Sequence, residues 1–85
     1  MTNKEFEQRV KLANAGANTF CFPSPENLSK FSAEIEKTKI ECSNLPDREK
    51  ELLKAWQDLG HELFITHNYD MARAIYTQIS GLLKQ

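Results

Sequence analysis

The sequence predicts an all-α protein, a small four-helix and mostly antiparallel bundle. Three observations lead there. Apolar residues recur at three- and four-residue steps in four separate segments, the spacing that gathers side chains on one helical face. Ser24-Pro25, Leu45-Pro46 and His67-Asn68 stand between those segments as caps and breakers do. Eighty-five residues suit one helical domain, 1–85, with a thin core that buries roughly 60–65% of the surface an unfolded chain of this size exposes.

The first helix is expected from about residue 3 to residue 17. Phe6, Val10, Ala13, Ala17 and Phe20 fall on one stripe at ~100° per residue, and this stripe is assigned to the core. Its second half is made of small residues. The run Ala13-Asn14-Ala15-Gly16-Ala17-Asn18 either frays or lets another helix approach closely. Thr19-Phe20-Cys21-Phe22-Pro23 then reads as an unusually apolar linker. Two phenylalanines and a cysteine are costly to leave in water, so they either plug one end of the bundle or form an exposed partner patch.

The second helix, residues 25–43, has the clearest start. Ser24 is the N-cap, Pro25 suits the first helical position and Glu26 suits the positive end of the dipole. Leu28, Phe31, Ile35 and Cys42 form its apolar line, with Thr38 filling the gap, and Ile40 sits off it. Pro46 stops that helix, and either Asn44 or Asp47 caps the third, expected over 47–66. Leu52, Leu53, Trp56, Leu59, Gly60, Leu63 and Phe64 lie within an arc of roughly 140°, the strongest amphipathic pattern in the chain. After a turn at His67-Asn68, the fourth helix covers 69–83. It is expected to bury Tyr69, Ala72, Ile75, Tyr76, Ile79, Leu82 and Leu83, with Met71 widening the face to ~160°. Gly60 and Ala72 are small enough for the last two helices to cross closely, with Trp56 and Tyr76 beside them.

Trp56, Leu59, Gly60, Leu63, Tyr69, Ala72 and Tyr76 carry a family likeness: Leu53–Gln85 resembles a single tetratricopeptide repeat. Leu63 stands where the pattern has Tyr, Ile79 where it has a small residue, and no second repeat precedes it. The resemblance implies a helical hairpin and, in function, peptide or helix binding by a concave helical face.

No catalytic constellation is expected. His61 and His67 are six residues apart, about 120° on a helix, so they do not share a metal. Cys21 and Cys42 lack zinc-site or disulfide-framework spacing and read as two half-buried thiols. The carboxylates alternate with lysines at helical spacing, as on solvated faces. The protein is therefore expected to be non-enzymatic, without metal or cofactor. A net charge of −1, from 11 basic and 12 acidic side chains, leaves no basic face for nucleic acid. The charged start MTNKEFEQRV and short apolar runs argue against a leader or membrane span, hence a cytoplasmic location.

The expected function is a protein-binding module, a small adaptor or chaperone-like protein presenting an apolar helical face. Phe20, Phe22, Ile40, Ile65, Met71 and Ile75 are the candidate contacts. Two other readings share the fold. One is a small inhibitor, immunity protein or antitoxin acting through the acidic stretch Asp47 to Glu51. The other is a self-assembling subunit whose apolar face makes a homodimer.

Overall fold

The computed structural model describes residues 2–42 and 44–84. The fold class is all-α: four helices and no strand among the described residues. They are α1 (Asn3–Cys21), α2 (Pro25–Glu41), α3 (Asp47–Phe64) and α4 (Tyr69–Leu83). The chain divides into two compact units, Met1–Leu45 and Pro46–Gln85, each a helical hairpin.

In the first hairpin, α1 opens on a capping box. The Glu5 amide donates to the Thr2 hydroxyl at 3.1 Å, and the Thr2 amide donates to the Glu5 carboxylate at 2.8 Å. The helix does not end near residue 17. It continues to Cys21, so Thr19, Phe20 and Cys21 are helical and not linker. Thr19 explains the extension. The residue is wholly buried, and its one hydroxyl hydrogen is shared between the Ala15 carbonyl at 2.8 Å and the Asn27 carbonyl of α2 at 3.1 Å. That tie to α2 outweighs the poor helix propensity of Asn14, Gly16 and Asn18. The plug expectation also fails for Phe22, which stays 71% exposed.

The buried face of α1 is a second correction. Gln8, Leu12, Gly16 and Thr19 are buried, whereas Phe6 and Val10 are exposed and Ala13, Ala17 and Phe20 half-buried. The apolar stripe lies about 125° around the helix from this buried line. Hydrogen bonds set the orientation. Gln8 Nε2 donates to the Glu34 carbonyl at 3.3 Å, to Glu34 Oε2 at 3.0 Å and to Thr38 Oγ1 at 3.2 Å. A buried amide needs such partners, and these three sit on α2.

α2 matches its expected pattern. Ser24 accepts from the Asn27 amide at 3.1 Å, and Pro25 takes the first position. Phe31, Ile35, Thr38 and Cys42 are buried, and Leu28 is half-buried. The helix stops at Glu41, where Cys42 caps it by donating to the Thr38 carbonyl at 3.0 Å. The expected last residue, Ser43, lies outside the described residues.

In the second hairpin neither Asn44 nor Asp47 caps α3. The N-cap is Pro46, which makes no side-chain cap bond; its carbonyl accepts from the Lys50 amide at 3.0 Å. Leu52, Trp56, Leu59 and Leu63 are buried as expected, together with Ala55 and Glu49, while Leu53, Gly60 and Phe64 are half-buried. The helix ends at Phe64, short of residue 66. There the Thr66 hydroxyl donates to the Glu62 carboxylate at 2.6 Å and the Asn68 amide to the Glu62 carbonyl at 2.9 Å. His67 completes the turn at φ 55°, in the left-handed region.

α4 has its expected bounds, and Asn68 caps it by accepting from the Met71 amide at 3.1 Å. Ala72 and Ile79 are fully buried, and Ile75, Tyr76 and Leu82 are half-buried. Tyr69 and Leu83 are exposed, against expectation, because they are the first and last residues of the helix, where the packing of its buried strip runs out. Tyr76 packs with the buried Trp56, ring centroids 6.3 Å apart and planes tilted 46°.

Candidate functional site

Each hairpin leaves a pair of large apolar side chains one helical turn apart and off its own packing line. In the first hairpin the pair is Phe6 and Val10 on α1, 54% and 44% exposed. Residues four apart stand on the same face, so the two rows of α1 are distinct: Gln8–Leu12–Gly16 faces inward, and Phe6–Val10 faces away from it. In the second hairpin the pair is Met71 and Ile75 on α4. Met71 is exposed and Ile75 half-buried beside the strip formed by Ala72 and Ile79.

The six residues singled out by the sequence do not form one patch. Phe20 is half-buried on α1 and engaged in contacts, while Phe22 is exposed at the end of the same helix. Ile40 is exposed near the far end of α2, on the side away from Phe31 and Ile35. Ile65 and Met71 stand at either side of the α3–α4 turn, with Ile75 one turn further along α4. Phe6 and Val10 are legible in the sequence as an apolar pair, but periodicity alone places them in the core.

A second feature belongs to the first hairpin alone. An open groove of about 450 Å³ runs between α1 and α2, roughly a third of a turn around α1 from Phe6 and Val10. Its α1 wall carries Lys11, Asn14, Ala15 and Asn18, and its α2 wall carries Asn27, Lys30, Ala33 and Glu34. Its only trace in the sequence is the asparagine-bearing run Ala13 to Asn18, whose composition favours fraying or a close approach.

Titratable groups are dispersed. Among the described residues no three His, Cys, Asp or Glu side chains converge as metal ligands would. The cysteines are both free, but they differ: Cys21 is exposed and Cys42 is buried. Burial pushes the Cys42 thiol up, which suppresses the nucleophilic thiolate. His61 lies on the surface with Nδ1 3.6 Å from the Glu62 carboxylate. The acidic stretch at the start of α3 is interrupted, since Glu49 is buried and engaged, leaving Asp47 and Glu51 beside Arg48 and Lys50. No helix among the described residues is long and apolar enough to cross a membrane.

No protein-family model, curated protein or solved structure matches the chain.

Proposed function

We propose that the protein is a non-enzymatic binding module that takes up an amphipathic helix of a partner protein on exposed apolar helix positions. The observation that carries this reading is the Phe6–Val10 pair, two large apolar side chains one turn apart and turned from the hairpin's own core. Apolar anchors at three- and four-residue steps are how helices read one another. Each side chain is about half exposed, so covering the pair is worth about 1–1.5 kcal/mol per residue. Met71 and Ile75 offer the same spacing on α4. The likeness of α3–α4 to one tetratricopeptide repeat supports the same kind of ligand. The inhibitor reading has less surface to work with, because Glu49 is withdrawn from its acidic stretch.

The test is a Phe6→Asp/Val10→Asp double variant in affinity capture from native lysate, beside wild type. Both sites are exposed, so far-UV circular dichroism should be unchanged. Proteins enriched by wild type should be lost with the variant. An unchanged set of captured proteins refutes the reading. Light scattering on the purified chain addresses self-assembly: a wild-type dimer that the variant turns monomeric makes the partner a second copy.

A further inference from the structure

The groove between α1 and α2 differs in kind from the apolar pairs. Its walls are carboxamides and charges over two alanines. Asn14 and Asn18 make no side-chain hydrogen bond among the described residues, and Lys11 makes no ion pair there. Asn27 is committed: its amide nitrogen donates to the Phe22 carbonyl at 2.7 Å. Glu34 is also held, accepting from Gln8 at 3.0 Å. Lys30 has only an exposed pairing with Glu26 at 3.3 Å, a contact worth little in water.

We propose that this groove binds an extended peptide segment carrying one acidic side chain. Register is the first reason. Asn14 and Asn18 are one turn apart, so their carboxamides repeat about every 6 Å along α1. Alternate residues of an extended chain repeat about every 6.6–6.8 Å. Each carboxamide offers one acceptor and a donor group, matching the C=O and N–H of one peptide residue, then of the residue two further on. Ala15 and Ala33 have no bulk to hold the peptide backbone away. Charge is the second reason. Lys11 and Lys30 stand on opposite walls, and a carboxylate between them is attracted by both. Glu34 stands on the α2 wall, one turn along from Lys30, and repels a second acid, so a single acidic residue fits better than an acidic run. From Lys11 to Asn18 the wall is about 10 Å long, enough for roughly three extended residues.

Its test changes Asn14 and Asn18 and reads a peptide titration, leaving Phe6 and Val10 intact, so its failure is distinguishable from failure of the apolar reading. The full chain, labelled with nitrogen-15, is titrated with a mixture of end-capped pentapeptides that have Asp fixed at the centre and the other positions randomised. The side-chain amide signals of Asn14 and Asn18 should move at millimolar peptide. The response should fall at least fivefold with Asn fixed at the centre, and again when the peptide nitrogens are methylated. Asn14→Ala/Asn18→Ala should abolish it. Alanine raises helix propensity at both exposed sites, so loss of folding does not explain such a result. Absence of shifts, equal response to the Asn-centred mixture, or the same shifts with acetate or inorganic phosphate alone would each overturn the proposal.

Discussion

Gln8 shows how one residue decides the packing of a helix. Its buried amide nitrogen has two hydrogens and three acceptors around it, two on Glu34 and one on Thr38. Gln8→Leu keeps the volume and removes the donor. Thr38 still donates to the Glu34 carbonyl at 2.8 Å, and Glu34 is half-buried within reach of water. The cost should be about 1–2 kcal/mol, a typical hydrogen-bond loss. Gln8→Glu is the harsher change, since it sets a second carboxylate against Glu34. At pH 7 it should cost about 2–4 kcal/mol, in the range of a buried charge left unpaired. The like charge raises the folded-state carboxyl pKa. Its penalty is therefore full above that raised value, shrinks as pH falls through it, and is gone below the unfolded value. Urea unfolding at pH 7 and pH 4 checks both the order of the variants and this recovery. Equal stability of the two variants at pH 7 would show that Gln8 is not what orients α1.

At the scale of elements, the caps are the most direct link from sequence to structure. Thr2 and Glu5 close α1, and hydrogen bonds from the Thr2 amide and hydroxyl hold the Glu5 carboxyl below its ordinary range. A depressed folded-state pKa stabilises the cap above the unfolded value, and that contribution is lost as pH falls through the lowered one. The Thr2 amide resonance should accordingly titrate with a midpoint below that of an unperturbed glutamate, and Thr2→Ala, which removes the hydroxyl and keeps the backbone N–H, should bring the Glu5 titration only part of the way back. A normal midpoint in wild type would mean the box is not closed in solution. Ser24 and the full extent of α4 were equally legible, because a cap beside an apolar period is a local signal. The inward face of α1 was not. Periodicity locates Phe6, Val10, Ala13, Ala17 and Phe20 as one stripe, but it cannot see that Gln8, Thr19 and Thr38 are buried by hydrogen bonding. The same blindness assigns Phe6 and Val10 to the core, where the structure leaves them exposed. It also hid the groove, whose wall is the asparagine run that propensity alone marks as fraying. Pro46 was read as a breaker; that it also serves as the N-cap of α3 depends on backbone geometry that no side-chain preference announces.

At the scale of the whole molecule, the two hairpins are built from different materials. The first buries Leu12, Phe31, Ile35 and Cys42, interleaved with the polar Gln8, Thr19 and Thr38. The second buries Leu52, Ala55, Trp56, Leu59, Leu63, Ala72 and Ile79, with Glu49 its one buried charged side chain among the described residues. Paired polar groups contribute about 0.5–1.5 kcal/mol each, against about 1.5–3 for a fully buried Leu or Phe. The first hairpin should therefore open at lower free energy, as local units of a protein often do. Native-state hydrogen exchange should find the most protected amides of α3 and α4 at least tenfold slower than those of α1 and α2. Trp56, the chain's single tryptophan, is buried in the second hairpin and reports on its unfolding. Its fluorescence should change at a higher urea concentration than the far-UV circular dichroism, which averages all four helices. Coincident transitions with equal exchange limits in both hairpins would instead make the chain one cooperative unit. In that case the hydrogen-bonded core of α1 and α2 would be no weaker than the apolar core of α3 and α4.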